Sequence, residues 1–197
     1  MTKSLAKPRN ILTDLKERNK ESVTLIKQVY NARTRWCKGQ REDKTELQYL
    51  ITRLEENQSV YFTRANSEET TLEDLFFAHP KSIDMLNTFP TVLVMDSTYK
   101  TNTYRMPLFQ IVGVTSTKLT YSIALAFLSF ERENNFIWTL AMFVGLLTSK
   151  NNMPKVIVTD RDLALMKVVA KVLPKTDHVF CYFHIRKNVK GAFLLWE

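Results

Sequence analysis

Over residues 1–58 the apolar positions recur with helical spacing. In "NILTDLKERN", Ile11, Leu12 and Leu15 share a face. "SVTLIKQVYNARTRW" places Ile26, Val29, Tyr30 and Arg33 together, with Ser22 where an N-cap would stand and a tight polar turn before it. After the break "GQREDK", "TELQYLITRLEEN" opens with Thr45 and Gln48 at capping-box spacing. It continues with Leu47, Leu50, Ile51 and Leu54 as one buried stripe. "VYFTRAN" and "LEDLFFAH" read as strands, and "PKSIDMLNTF" reads as a short helix ending at Pro90.

From Thr91 the period changes. "TVLVMD", "YRMPLFQIVGVTS" and "TYSIALAFLSF" predict three strands, and the short turn around Thr117 and Lys118 makes the last two an antiparallel hairpin. "NNFIWTLAMFVGLLTSK" predicts a helix with Phe136, Leu140, Phe143 and Leu147 on one side, and Trp138 falls in its apolar stripe as core. "KVIVTD" then predicts a strand, "RDLALMKVVAKVL" a helix and "HVFCYFH" a last strand. The fold class is therefore α/β, with a mixed sheet of three antiparallel strands followed by parallel ones and flanking helices. The expected organisation is a helical, helix-turn-helix-like basic region at 1–58, connecting strands and a helix at 59–90, and the α/β core at 91–197.

Two of these strands end on a carboxylate. Asp96 follows "TVLVM" and Asp160 follows "KVIVT", near-continuous apolar runs of the kind found in central strands buried on both faces. If the two strands are parallel neighbours, about 5 Å apart, both acids leave the sheet at one edge and can share a cation. Sites in open α/β sheets lie outside the carboxyl ends of the strands. Paired carboxylates suit Mg²⁺ or Mn²⁺, hard cations that also grip phosphate. The plainer alternative is local capping: Asp160 at the start of the helix near Asp162, and Asp96 opening a turn with Ser97 and Thr98.

Composition narrows the class. At 45% hydrophobic and 24% charged residues, the chain has ordinary globular proportions, and its longest apolar runs are too short to span a bilayer. "MTKSLAKPRN" has no apolar signal core, and two cysteines, Cys37 and Cys181, make no disulfide framework. The net charge of +8 is uneven: residues 1–45 hold 12 Lys/Arg against 5 Asp/Glu, whereas residues 46–90 hold 3 against 8. A basic head of this kind suits a phosphate backbone. Within it Lys27, Asn31, Arg35 and Lys38 fall on one helical face, the expected DNA-contacting side. Lys100, just after the first acid, and Arg186 and Lys187, after the last strand, are placed to meet phosphates as well.

In this order, "DSTYKTNTYRMPLF", "VIVTDRDLALMKVV" and "CYFHIRKNV" resemble the transposases of Mutator-like elements and their domesticated plant relatives, transcription factors of the far-red-impaired-response type. The resemblance runs from about Phe89 to Asn188. It implies a ribonuclease-H-like fold and a triad of two aspartates and a glutamate, with Asp96 and Asp160 as the catalytic, metal-holding pair. It also implies DNA as partner (transposon terminal repeats, or promoter elements in the domesticated relatives), a possible homo-oligomer and a nuclear location. Cys181 and His184 form the family's C-x-x-H, expected to be structural near the acids rather than a zinc site, since structural zinc takes four ligands. The family's third acid lies well beyond that motif, so the expectation is a catalytic core truncated at its C-terminus. Two functions follow: metal-dependent strand cleavage and transfer in DNA transposition, or a domesticated regulator that binds DNA without cutting it.

Overall fold

The computed structural model describes residues 7–41, 43–66, 68, 71–99, 101–149 and 152–193. The chain divides into two compact units between Arg53 and Leu54.

The first unit is helical. Helix α1, Pro8–Arg18, starts on a proline, whose missing N–H costs nothing at that position. Helix α2, Ile26–Arg41, packs against α1 and buries Val29. Ser22 does not cap α2. Its hydroxyl bonds Thr24 Oγ1 at 2.9 Å, and the helix begins at Ile26, where Gln28 Oε1 accepts from the Leu25 N–H at 2.8 Å. Residues 19–25 thus connect the helices through a turn at Lys20–Glu21, and this connection is longer than the three- or four-residue turn of a helix-turn-helix. Helix α3, Glu46–Glu56, opens on the expected capping box: Thr45 N–H donates to Gln48 Oε1 at 2.9 Å and Gln48 N–H to Thr45 Oγ1 at 3.2 Å.

In the second unit, seven strands among the described residues form one sheet. They are β1 Val60–Ala65, β2 Leu72–Ala78, β3 Val92–Thr98, β4 Leu108–Val114, β5 Thr120–Phe127, β6 Val156–Thr159 and β7 Asp177–Phe180. Their spatial order is β1-β2-β5-β4-β3-β6-β7. From β1 to β3 every neighbour is antiparallel, and β6 and β7 then run parallel to β3. Within this sheet, β3, β4 and β5 followed by parallel β6 and β7 are the ribonuclease-H-like arrangement. Strands β1 and β2 continue the same sheet, because β2 pairs with β5.

Among the described residues, the unit also has helices α4 Pro80–Thr88, α5 Glu133–Gly145, α6 Leu163–Val172 and α7 Tyr182–Phe193. Helix α5 packs against α6, and α4 against β5. Phe136, Leu140 and Phe143 point from α5 into a core shared with Leu93, Met95, Phe109 and Ile157. Lys118 takes φ 63° at the β4–β5 turn predicted around Thr117 and Lys118. In β4, Gly113 lies under the Tyr121 ring, which leaves no room for a Cβ. The last strand is shorter than the apolar pattern suggests: β7 ends at Phe180, and Tyr182, Phe183 and His184 are helical.

Between β2 and α5 lies a buried polar cluster. Asp74 has no solvent exposure and pairs with the Arg64 guanidinium. Its carboxylate also accepts from Ser129 N–H at 2.9 Å and from Asn135 Nδ2 at 3.0 and 3.2 Å. Asn135 Nδ2 reaches Ser129 Oγ as well, at 3.0 Å. The Arg64 guanidinium sits 5.5 Å from the ring centre of Trp138, which packs at the edge of the core. This network fixes the segment between β5 and α5, residues 128–132.

Candidate functional site

Strands β3 and β6 are parallel neighbours in the register Val92↔Val156, Leu93↔Ile157 and Val94↔Val158. Asp96 lies two residues beyond Val94 on β3, and Asp160 two residues beyond Val158, just past the end of β6. Both acids are half-buried. Asp160 makes only a loose local turn, its Oδ1 accepting from Asp162 N–H at 3.3 Å, and the capping of α6 falls to Asp162, whose Oδ1 accepts from Leu165 N–H at 2.7 Å. Asp160 is thereby free of the helix-capping role.

A third acid joins them that no local pattern signalled. Glu131 follows β5, a strand that runs in the same direction as β3 because each is antiparallel to β4. Together with Ser97, Tyr99, Asp160 and Asp162 it lines a cleft of about 110 Å³, floored by Phe136 and Leu165. Burial pushes the Glu131 carboxyl above its usual range; a hydrogen bond with Ser97 opposes that, and the charges of Asp162, Asp160 and Asp96 add to the rise. Asp96 does not line this cleft, although its charge reaches Glu131. Among the described residues, no ion pair involves Asp96, Asp160 or Glu131.

On the other side of Asp160 a larger cleft of about 400 Å³, almost wholly apolar, runs between α6 and α7. Leu163, Met166, Phe180, Ile185 and Val189 line it, with Cys181 and His184. Cys181 N–H donates to Thr159 O at 2.7 Å, which docks the start of α7 beside the β6 end. His184 meets Phe183 edge-to-face at 5.5 Å, and its Nδ1 is buried without a hydrogen-bond partner among the described residues. His178 on β7 is 2.7 Å from Thr159 Oγ1, whose hydroxyl donates to Asp160 O at 2.7 Å. The hydroxyl's one proton is thus used, so His178 donates from Nε2. Burial holds the His178 pKa below its ordinary value.

Lys27, Asn31, Arg35 and Lys38 are all exposed on one side of α2, in the helical unit. Arg186 and Lys187 are exposed on α7. Lys100 lies outside the described residues. No group of three or more His, Cys, Asp or Glu is close enough to hold a metal ion among the described residues.

Residues 92–188 match the family model of the MULE transposase domain, a span that opens with β3 and contains Asp96, Asp160, Cys181 and His184. The chain carries a MULE transposase domain. This MULE-bearing chain is similar to Protein FAR1-RELATED SEQUENCE 4 of Arabidopsis thaliana, 27% identical over 151 residues that cover 77% of this chain and 20% of that protein. Protein FAR-RED IMPAIRED RESPONSE 1 of the same plant is 29% identical over 147 residues, 75% of this chain and 18% of that protein. The chain therefore spans about a fifth of the length of these relatives. Among solved structures, the magnesium complex of the HTLV-2 integrase catalytic core domain aligns over 53% of this chain and 72% of that one, at 17% identity and a TM-score of 0.31. No helix among the described residues is long and apolar enough to cross a membrane.

Proposed function

We propose that the MULE domain acts on DNA by divalent-cation-dependent phosphodiester chemistry, the strand cleavage and transfer of DNA transposition. Asp96 and Asp160 are the carboxylates that hold the cation. The observation that supports this reading is that β3 and β6 are parallel neighbours paired as far as Val94↔Val158, with an aspartate two residues beyond each. The donor set suits Mg²⁺ or Mn²⁺: hard oxygens only, at an edge where negative charge gathers and no ion pair offsets it among the described residues. Mg²⁺ is commonly held by one or two carboxylates with water completing the shell, so two aspartates suffice. When bound, such an ion offsets phosphate charge and acidifies an attacking water. The chain's own part is to hold Asp96 and Asp160 on rigid strand ends and to keep Glu131 against Ser97. The exposed α2 face of Lys27, Asn31, Arg35 and Lys38 adds phosphate contacts, and the nucleus is the place of action.

A second reading rests on a different observation. With no third ligand close by among the described residues and with relatives of the far-red-impaired-response type, the domain would bind DNA as a non-catalytic regulator. Nicking of labelled terminal-repeat DNA in Mg²⁺ or Mn²⁺ separates the two. The catalytic reading expects cleavage that falls at least about 100-fold in Asp96→Asn and in Asp160→Asn, the scale set by losing a transition-state contact. Cleavage equal in both variants removes the assignment, and DNA binding without cleavage by the unaltered chain favours the regulator.

A further inference from the structure

In the second unit, four aromatic side chains among the described residues are more than half exposed: Tyr99 at 60%, Phe130 at 56%, Tyr182 at 73% and Phe183 at 67%. Large rings left this bare forfeit burial worth having, so their placement matters. All four emerge at one edge. Tyr99 follows β3, Phe130 follows β5, and Tyr182 and Phe183 follow β7; β5, β6 and β7 all run in the direction of β3. These are the carboxyl ends where Asp96, Glu131 and Asp160 also stand. Leu163, Phe180, Ile185 and Val189 are exposed near the same edge too, but they line the apolar cleft beside Asp160.

Cations are interleaved with the rings. The Arg132 guanidinium lies 4.5 Å from the ring centre of Phe130. On α7, Tyr182 and Arg186 are four residues apart, as are Phe183 and Lys187, so the pairs are neighbours on the helix surface. This outer face is opposite the one made by Cys181, His184, Ile185 and Val189, which lines the apolar cleft. Rings that can stack, alternating with charges that can meet phosphates, fit a single strand of nucleic acid: every base has a π-face, and the backbone runs alongside. A paired duplex hides its base faces in the stack and offers these rings nothing but its outer surface.

We infer that Tyr99, Phe130, Tyr182 and Phe183 form a stacking rim for unpaired bases around the acid pair, so that the domain engages DNA whose strands are separated at the reacting phosphodiester. This deepens the DNA-cleaving reading and rests on it. It also assigns a substrate class, melted or single-stranded DNA, that the carboxylates alone do not specify.

The test is fluorescence anisotropy of the whole chain, in EDTA so that cleavage plays no part. Three probes of equal length are used: a single strand, a fully paired duplex, and a duplex with a central unpaired bubble. The expected result is at least tenfold tighter binding to the bubble and the single strand than to the duplex. Tyr182→Ala with Phe183→Ala should erase most of that preference while leaving duplex affinity within about twofold. Tyr182→Phe, which keeps the ring, should retain the preference. Circular dichroism confirms folding, since both rings are exposed. Equal affinity for all three probes, or a preference untouched by the double substitution, overturns the stacking rim while leaving duplex cleavage to be judged by the nicking assay. If no probe binds, the DNA reading itself falls with the rim. A double variant that alters sedimentation of the chain without altering DNA preference assigns the rings to protein contact instead, which also overturns the inference.

Discussion

Two groups of carboxylates occupy the same sheet and are treated in opposite ways. Asp74, on β2, is sealed from solvent and surrounded by partners: Arg64, Asn135 and the Ser129 N–H. Asp96, Asp160 and Glu131 stand half-buried at the far ends of β3, β6 and β5, among more negative charge and with no paired cation among the described residues. An uncompensated buried charge is costly, so Asp74 has to be paired for the unit to fold. The edge cluster carries a smaller cost because water reaches it, and that residual repulsion is what an incoming cation would relieve. One acid group holds the structure together. The other is held in place by it, since the Asp74 network anchors residues 128–132, the segment that carries Glu131.

The sharpest way to break this contrast is to truncate both kinds of acid. Asp74→Ala removes the close ion-pair partner of Arg64 and leaves Asn135 Nδ2 only the Ser129 hydroxyl; loss of one partner from a buried pair costs about 3–5 kcal/mol. Urea denaturation should show that drop. Asp96→Ala and Asp160→Ala should stay within about 0.5 kcal/mol of the unaltered chain, as surface substitutions away from networks do. Comparable losses at all three positions would erase the distinction. A milder cut at the same network, Asn135→Ala, should cost about 1–3 kcal/mol by leaving Asp74 short of a donor.

How much of this was written in the sequence follows from how local each cause is. The parallel neighbourhood of β3 and β6 was legible because each is a near-continuous apolar run, the mark of a central strand in an α/β order. The Thr45–Gln48 capping box was legible for the same reason, its partners being three residues apart. Ser22 misled because its hydroxyl had a nearer partner in Thr24, and the α2 start was set instead by Gln28. Asp74 sits in a strand pattern that gives no hint of Asn135, 61 residues away. Glu131 was equally silent: it lies in a connection, and only the strand order that places β5 beside β4 brings it to the acids. "HVFCYFH" looked like one strand because its residues are apolar and aromatic throughout, whereas the chain turns helical after Cys181. The rings that strand propensity would have assigned to a sheet are the ones left exposed on α7.

A smaller effect tests whether the edge is tuned by its surroundings. His178 is held neutral by burial and donates to Thr159, which in turn bonds the Asp160 carbonyl. Its pKa in the folded chain is lowered from the ordinary 6.5, so the unfolded chain takes up the proton first. The stability that His178 contributes is therefore complete above about pH 6.5 and is lost as pH falls through that value toward the folded pKa. The melting temperature should decline by a few degrees between pH 7 and pH 5.5, beyond the change seen in His178→Asn. Matching pH profiles for the two proteins would remove His178 from the coupling.

The smallest effect bears most directly on the contrast between the two acid groups. Glu131 has its carboxyl raised by burial and by Asp162, Asp160 and Asp96, so its ionised form is disfavoured in the folded chain. A raised folded pKa means the associated stability is full below the unfolded value of 4.5 and is lost as pH rises through the folded one. At neutral pH Glu131 is thus a small liability, discounted by the water that reaches it. Glu131→Gln, which keeps the shape and the hydrogen bond to Ser97, should raise the melting temperature by about 2 °C at pH 7.5 and not at pH 4. Millimolar Mg²⁺ should raise the melting point of the unaltered chain and leave a smaller gap between it and the variant, because a cation that binds only the folded state stabilises it by mass action. Asp74→Asn offers the opposite sign, a loss of stability that Mg²⁺ does not restore. If Glu131→Gln instead destabilises at neutral pH, the carboxylate belongs with Asp74 as a paired structural acid, and the edge loses the charge imbalance on which cation binding depends.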